Sequence, residues 1–276
     1  MPELPEVQTI VDELNQVLPG EEIRSAEVFY SGCIQGDVSS FQESVPGRRI
    51  ERVRRKGKLL ILDLKPESHI ACHLKMTGQL LWEDSGNRDC LVDKYTQLIF
   101  HLASNNRLLF RDKRKFGYLV FFGSTRELNQ WSFVANLGPD ALDITAQDLQ
   151  KLIGNKRTTL KSFLMDQKMI AGIGNIYADE ALYKAGLHPC LKCCELDSGQ
   201  IAKLQEALYT VLTRAIQAKG SSFSDYVNSS GDAGSFQDEF CVYGCKGKQC
   251  QHCGSVLESI KVSGRTSTYC PCCQPR

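Results

Sequence analysis

Four cysteines near the end of the chain have the types and spacing to hold a metal. Cys250 and Cys253 are separated by two residues, Cys270 and Cys273 repeat that spacing, and sixteen residues lie between the pairs. Each pair offers two thiolates from one tight turn, and four thiolates suit tetrahedral zinc. An iron or redox site is the competing reading. Four protein ligands leave no open coordination position, so one structural Zn2+ is expected. Cys245 and Cys272 lie nearby in sequence, but neither repeats the spacing. Between the pairs, Gly264-Arg265-Thr266 is expected at a hairpin tip. Arg265 there either enters a nucleic-acid groove or is a plain surface residue.

The chain start offers a second chemistry. Met1 precedes a small residue, Pro2, and trimming would leave a secondary amine just ahead of a helix. An α-amino group ordinarily titrates at about 7.7–8.0, and a helix N-terminus lowers that value. A neutral secondary amine that attacks a carbonyl or a sugar C1′ gives an iminium, which is already cationic and a good electron sink. Glu3 and Glu6 stand beside it and could move protons. The plainer reading is that Pro and Glu simply start helices well.

These groups need elements to position them. Val7, Ile10, Val11, Leu14, Val17 and Leu18 recur at helical spacing, which predicts a helix over 5–18 that stops at Pro19-Gly20. Strand-forming stretches follow at 23–30, 49–53, 58–64, 68–76, 79–83, 97–102, 107–110 and 117–122. Together they read as a β-sandwich with a helix at its start. After Gly138-Pro139-Asp140 the pattern turns helical, at 146–153, 158–167, 175–185 and 198–219. The polar, Gly- and Ser-rich stretch 220–240 is expected to be a mobile loop, and 240–276 a small cysteine-rich module.

Composition narrows the class. The 276 residues are 42% hydrophobic and 24% charged, ordinary globular values that exclude disorder as the main state. No apolar run approaches the roughly 18–20 residues of a membrane helix, and the start is acidic where a signal peptide is basic. A soluble, intracellular protein without membrane contact is expected, and thirteen cysteines then point to metal rather than disulfides. The net charge of +1 hides a pattern: windows 47–58, 107–117, 151–168 and 240–276 hold 22 of the 33 bases and 4 of the 32 acids. They are either solvated faces on separate elements or one basic groove for a phosphate backbone.

The start MPELPEVQTI, the stretch HLKMTGQL, the segment DKRKFG, the block LMDQKMIAGIGNIYADEALYKAGLHP and the ending GRTSTYCPCCQ resemble the bacterial formamidopyrimidine-DNA glycosylases. The resemblance spans essentially the whole chain, with long motifs in order. It implies an α+β fold of two domains: an N-terminal β-sandwich with a flanking helix, and a C-terminal helix–two-turn–helix domain with a β-hairpin zinc finger. The expected boundaries are 1–135 for the catalytic sandwich, 136–239 for the helical domain with a lesion-capping loop at about 220–237, and 240–276 for the finger. The resemblance also implies the partner, double-stranded DNA with oxidised bases or abasic sites, held in a cleft between domains.

The implied activity is bifunctional. Pro2 attacks C1′ of an oxidised purine nucleotide such as 8-oxoguanine or a formamidopyrimidine, and β- then δ-elimination cuts the strand. Glu3 is the implied general acid at the sugar ring oxygen. Glu6 assists or organises, and Lys58 lies beside the lesion phosphates. A target base must leave the stack at a cost of a few kcal/mol; Met76, Arg114 and Phe116 match the residues that fill the gap. Gly172-Ile173-Gly174-Asn175 would hold a phosphate at a helix start, with Lys161 and Arg265 adding contacts. Glu180 and Tyr226 are placed at the lesion pocket. A monomer in the bacterial cytoplasm, associated with the nucleoid through DNA, is expected. Leu4 and the capping loop favour purine lesions; an endonuclease VIII-like enzyme for oxidised pyrimidines and a non-catalytic zinc-ribbon DNA binder are the alternatives.

The sequence also departs from the family pattern. Lys113 and Lys115 stand in DKRKFG where DPRRFG is common, which removes a turn-fixing proline. Cys245 takes a usual Arg position before the finger, and Ser224 a position that is Lys in some members. Cys190, Cys193 and Cys194 are extra thiols.

Overall fold

The computed structural model describes residues 1–86, 92–223 and 225–276; Ser224 lies outside them. The chain forms two compact units, Met1–Ala135 with Ala218–Ser235, and Asn136–Gln217 with Phe236–Arg276.

The first unit begins with helix α1, Leu4–Val17. Val7, Ile10, Val11 and Leu14 line one face of it and join the main core. Pro5 falls in the first turn, where its missing N–H costs nothing. Then come β1 (Ile23–Val28), α2 (Val38–Ser44), β2 (Arg49–Lys56), β3 (Leu59–Lys65), β4 (Ser68–His73), β5 (Gly78–Glu83), β6 (Thr96–Leu102), β7 (Arg107–Asp112), β8 (Tyr118–Phe122), α3 (Thr125–Gln130) and α4 (Ser132–Ala135). The strands form two antiparallel four-stranded sheets, in orders β2-β3-β4-β8 and β1-β6-β7-β5. All eight expected strands are present, with ends shifted by up to three residues.

Alternate residues explain the layering. Leu60, Leu62 and Leu64 of β3, Ile70 and Cys72 of β4, Leu98 and Phe100 of β6, and Leu108 and Phe110 of β7 share the main core. The opposite face of β3 and β4, through Leu59, Ile61 and Ala71, packs under Leu128 and Val134 of α3 and α4. That second cover is why β3 reads as continuous apolar sequence rather than alternation. The outer edge of β2 is closed by Asn15 of α1. Its amide donates to the Val53 carbonyl at 2.6 Å and accepts the Val53 N–H at 2.7 Å.

Three short helices were not expected from the sequence. Asp37 caps α2 through the Ser40 N–H, and Ser124 caps α3 through the Glu127 N–H. Both are ordinary N-cap signals, but at six or seven residues these helices are too short to show periodicity.

The stretch read as a mobile loop of the helical domain has an ordered place in the first unit. Tyr226 joins the main core, and Val227 packs on Leu81, Ile99 and Leu109 on the outer face of the second sheet. The Trp82 N–H donates to the Ser229 carbonyl at 2.8 Å. Segment 218–235 is therefore a strap, fastened by the buried Tyr226 and the partly buried Val227, which a polar, glycine-rich composition hides.

The second unit contains α5 (Ala146–Ile153), α6 (Leu160–Met165), α7 (Asn175–Ala185) and α8 (Ser198–Gln217), then the hairpin β9 (Glu258–Val262) and β10 (Arg265–Tyr269). Thr145 and Asp148 form a capping box on α5. Helix α7 packs on α6 and α8 and ends at Gly186, whose φ of 68° is the left-handed C-terminal cap. Ser263 and Gly264, both at positive φ, make the hairpin tip, and Arg265 opens β10.

Candidate active site

Pro2, Glu3 and Glu6 are all buried at the head of α1. The Glu3 N–H donates to Glu6 Oε2 at 2.8 Å, and the Ser221 N–H of the strap donates to Glu6 Oε1 at 2.8 Å. The Glu6 carboxylate is thus spanned between its own helix start and the strap, an organising geometry. Tyr226 adds a bond from its hydroxyl to the Glu6 carbonyl at 3.3 Å.

With Met1 in place, the Met1 amine at the chain start is held below its ordinary value of 8.0, chiefly by burial. Glu3, Glu6 and Asp225 oppose that shift, and Lys58 adds to it. Lys58, buried in the turn between β2 and β3, contributes to the field at this amine together with both glutamates. Gly57 at a φ of 58° makes that turn. Asp225 also belongs to this group, although nothing in its sequence surroundings singles it out.

Met76 and the pair Arg114 and Phe116 sit on the β4–β5 and β7–β8 connections, and all three are exposed. The Arg114 guanidinium lies over the Phe116 ring, 4.7 Å from its centre. One buried carboxylate, Asp112, builds this arrangement. Its Oδ1 accepts the Thr77 hydroxyl and the Arg114 N–H, the latter at 3.0 Å; its Oδ2 accepts the Phe116 and Gly117 N–H groups at 2.8 and 2.7 Å. The Arg114 N–H also reaches Thr77 Oγ1 at 3.2 Å, so the two connections are tied together. His73 holds the other end, its Nδ1 accepting the Lys75 N–H at 3.0 Å. Burial lowers the His73 pKa to about 3, so the ring is neutral. Asp112 stands inside the DKRKFG motif, yet the sequence reading passed over it. A carboxylate at a strand end before a tight loop was the available signal. Asp112→Ala is expected to destabilise the protein by about 3–5 kcal/mol, because four donors lose a buried charged acceptor. Urea denaturation measures it; a loss below about 1 kcal/mol would mean that the loop is not built on this carboxylate.

In the second unit, Gln167 shapes the glycine turn. Its Oε1 accepts the Gly172 N–H at 2.9 Å and its Nε2 donates to the Ile173 carbonyl at 2.7 Å. Asn175, at the start of α7, donates to the Thr266 carbonyl of β10 at 3.2 Å, which brings it to the residue next to the exposed Arg265.

Three of the expected site residues are enclosed by protein partners. Lys161 is fully buried, with Nζ 2.6 Å from Asp179 Oδ1 and 2.8 Å from the Asn175 carbonyl. Its ammonium is therefore enclosed by protein rather than facing solvent. Asp179 also accepts the Ser267 hydroxyl and the Thr268 N–H, so the pair ties α6 and α7 to β10. Lys161→Met should cost about 3–5 kcal/mol by leaving that carboxylate buried without its cation. Arg265→Ala should instead leave stability unchanged and lower the salt slope of DNA affinity by about one. Thermal unfolding and a salt titration separate the two. Glu180, expected near a flipped base, has both oxygens taken: Oε1 accepts the Val242 and Tyr243 N–H groups at 3.0 and 2.8 Å, and Oε2 the Cys241 N–H at 3.0 Å. It anchors the approach to the finger. Tyr226, also expected at the pocket, spends its ring in the core.

The Sγ atoms of Cys250, Cys253, Cys270 and Cys273 all lie within 4.8 Å of one another, with 3.8 Å from Cys250 to Cys273 and 3.4 Å from Cys253 to Cys270. Sulfurs about 2.3 Å from a tetrahedral zinc stand about 3.8 Å apart, so the donor set fits one structural zinc. The Tyr183 hydroxyl lies 3.2 Å from Cys250 Sγ and supplies an outer hydrogen bond. Among the described residues no second cluster of this kind forms; Cys190, Cys193, Cys194, Cys245 and Cys272 stay outside it. Cys245 packs at the edge of the finger core.

Three family models match the chain. They are the formamidopyrimidine-DNA glycosylase N-terminal domain over residues 1–119, the formamidopyrimidine-DNA glycosylase H2TH domain over 137–227, and a zinc finger found in FPG and IleRS over 247–276. The chain is 39% identical over 278 residues to a formamidopyrimidine-DNA glycosylase of Desulforamulus reducens, covering 99% of each. Its structure is similar to that of a Lactococcus lactis FPG mutant in complex with Fapy-dG containing DNA, with a TM-score of 0.91, 30% identity and full coverage of both chains. It is also similar to wild-type Lactococcus lactis FPG bound to DNA containing an oxidised pyrimidine, with a TM-score of 0.90 at 30% identity and full coverage of both.

Proposed function

The chain belongs to the formamidopyrimidine-DNA glycosylase family, DNA glycosylases and AP lyases of base-excision repair, and from that premise we propose how its own residues do the work. The carrying observation is the head of α1, where Pro2, Glu3 and Glu6 are buried together and the Glu6 carboxylate accepts the Glu3 and Ser221 N–H groups.

With Met1 removed, the Pro2 nitrogen attacks C1′ of the damaged nucleotide, the base leaves with the bonding pair, the nitrogen gives up its proton, and the C1′–O4′ bond breaks as Glu3 protonates the ring oxygen. The resulting iminium withdraws electrons, so loss of a C2′ proton breaks the bond to the 3′ oxygen, and a second elimination releases the 5′ side. Glu6 holds the helix start and the strap in register for these steps. The Lys58 ammonium disfavours a second positive charge at the chain start and offers charge to a phosphate near the lesion. Met76, Arg114 and Phe116 fill the gap left by the extruded nucleotide, an apolar wedge, a donor fork and a ring. Asn175 and Arg265 hold phosphates, and the four-cysteine zinc fixes the hairpin that presents Arg265. The domains assigned are a catalytic sandwich with the strap, a helical domain and a finger. The protein acts as a monomer on bacterial chromosomal DNA in the cytoplasm.

Oxidised purines are the main substrate. A second reading adds oxidised pyrimidines, because a full-length structural relative is bound to DNA containing one. Excision on duplexes carrying 8-oxoguanine opposite cytosine, a formamidopyrimidine or thymine glycol, with borohydride trapping, tests both. Faster purine excision with an adduct on Pro2 supports the first reading. Thymine glycol as the faster substrate transfers the assignment to pyrimidines, and no adduct on any lesion overturns the mechanism.

A further inference from the structure

Lys113 is the residue that replaces a turn-fixing proline in the DKRKFG loop, and the structure gives it a specific partner. Its Nζ lies 2.6 Å from Asp225 Oδ1 of the strap. Asp225 is fixed from a second side, where Gln79 of β5 donates to its carbonyl at 2.9 Å. One residue beyond Lys113, Arg114 begins the exposed pair whose backbone hangs from Asp112. One residue beyond Asp225, Tyr226 enters the core and bonds to Glu6 through its hydroxyl. Further along, the strap is latched to α1 at Glu13, which accepts the Asn228 amide at 2.8 Å, the Ser229 N–H at 3.0 Å and the Ser229 hydroxyl at 2.7 Å.

We propose that Lys113 and Asp225 are a positioning pair that couples the loop bearing Arg114 and Phe116 to the strap beside the nucleophile helix. Entry of that loop into a duplex then sets the strap against the extruded base, and a loop that fails to enter leaves it unset. Neither side chain is assigned a bond-making role, although Asp225 also adds charge near the chain start, so the pair selects for productive extrusion rather than performing chemistry. This inference rests on the insertion role assigned above to Arg114 and Phe116.

Both side chains are partly solvent-exposed, so the pair is worth about a two- to five-fold change in rate rather than a large one. Lys113→Met and Asp225→Asn are each expected to lower the single-turnover rate of 8-oxoguanine excision by about that factor. Lys113→Arg should keep the wild-type rate, and Lys113→Met in the Asp225→Asn background should add nothing. Hydrogen exchange in the free protein should show faster opening of the Ser221 and Ser229 amides in Lys113→Met. Additive losses, with the salt slope of DNA affinity reduced by about one, would make Lys113 a phosphate contact and overturn the pair. Unchanged exchange in Lys113→Met overturns it as well, and needs no DNA. A wild-type excision rate in Phe116→Ala would instead overturn the insertion reading, while the exchange result still decides the pair.

Discussion

A chain that keeps Met1 or any other residue ahead of Pro2 forms no borohydride-trapped adduct on lesion DNA, whereas the trimmed chain is trapped at its first residue. The reason is electronic. With Met1 attached, the proline nitrogen is a tertiary amide, and its lone pair is delocalised into the carbonyl. Trimming converts that nitrogen into a secondary amine in a site already buried at the head of α1. Glu3→Gln in the trimmed chain should slow base excision by about 10²–10⁴-fold, the ordinary worth of a positioned proton donor. Pro2→Gly should keep a slower primary-amine reaction, since its imine must still be protonated. The pH dependence has a fixed sign. Only an unprotonated amine attacks, so the trapping rate rises with pH as the trimmed amine loses its proton. Quench-flow trapping with intact-mass confirmation of the N-terminus measures all of this. A fully active preparation that retains Met1 would overturn the proline assignment.

The reading from sequence succeeded where local patterns carry the information. Alternation and turn chemistry locate all eight strands of the sandwich. The repeated Cys spacing identifies four sulfurs that converge within 4.8 Å. The N-terminal Pro-Glu run marks a helix start whose carboxylates surround the amine. It failed where partners are distant in sequence. Lys161 reads as a surface base in a basic window, but Asp179 and the Asn175 carbonyl enclose it. Glu180 reads as a helix-face acid, but three backbone N–H groups arrive from 61 to 63 residues away. The strap reads as a loop because its polar residues outnumber Tyr226 and Val227, the two apolar side chains that fasten it. In each case a charge or a glycine-rich composition suggests solvent, and only the tertiary partner reverses that inference.

Removing zinc should unfold the finger and weaken DNA binding about ten- to a hundred-fold, the worth of one or two charge-assisted contacts. A structural zinc supplies about 10–16 kcal/mol of apparent folding free energy in small finger modules, far more than the local core of Val242, Leu257 and the cysteines can replace. Without the metal, β10 loses its register. Arg265 then loses its fixed tip, and Asn175 loses the Thr266 carbonyl that holds its amide. The first unit should stay folded, because no residue of its main core comes from the finger. Cys250→Ala is therefore expected to bind no zinc and to lose affinity, while keeping the sandwich's main unfolding transition. Cys272→Ala, outside the four converging sulfurs, should retain one zinc and full affinity. Metal analysis with fluorescence anisotropy on an abasic-site duplex distinguishes the two variants. Unchanged affinity in Cys250→Ala with zinc absent would remove the finger from the DNA-binding surface. Zinc loss in Cys272→Ala would reassign the fourth ligand.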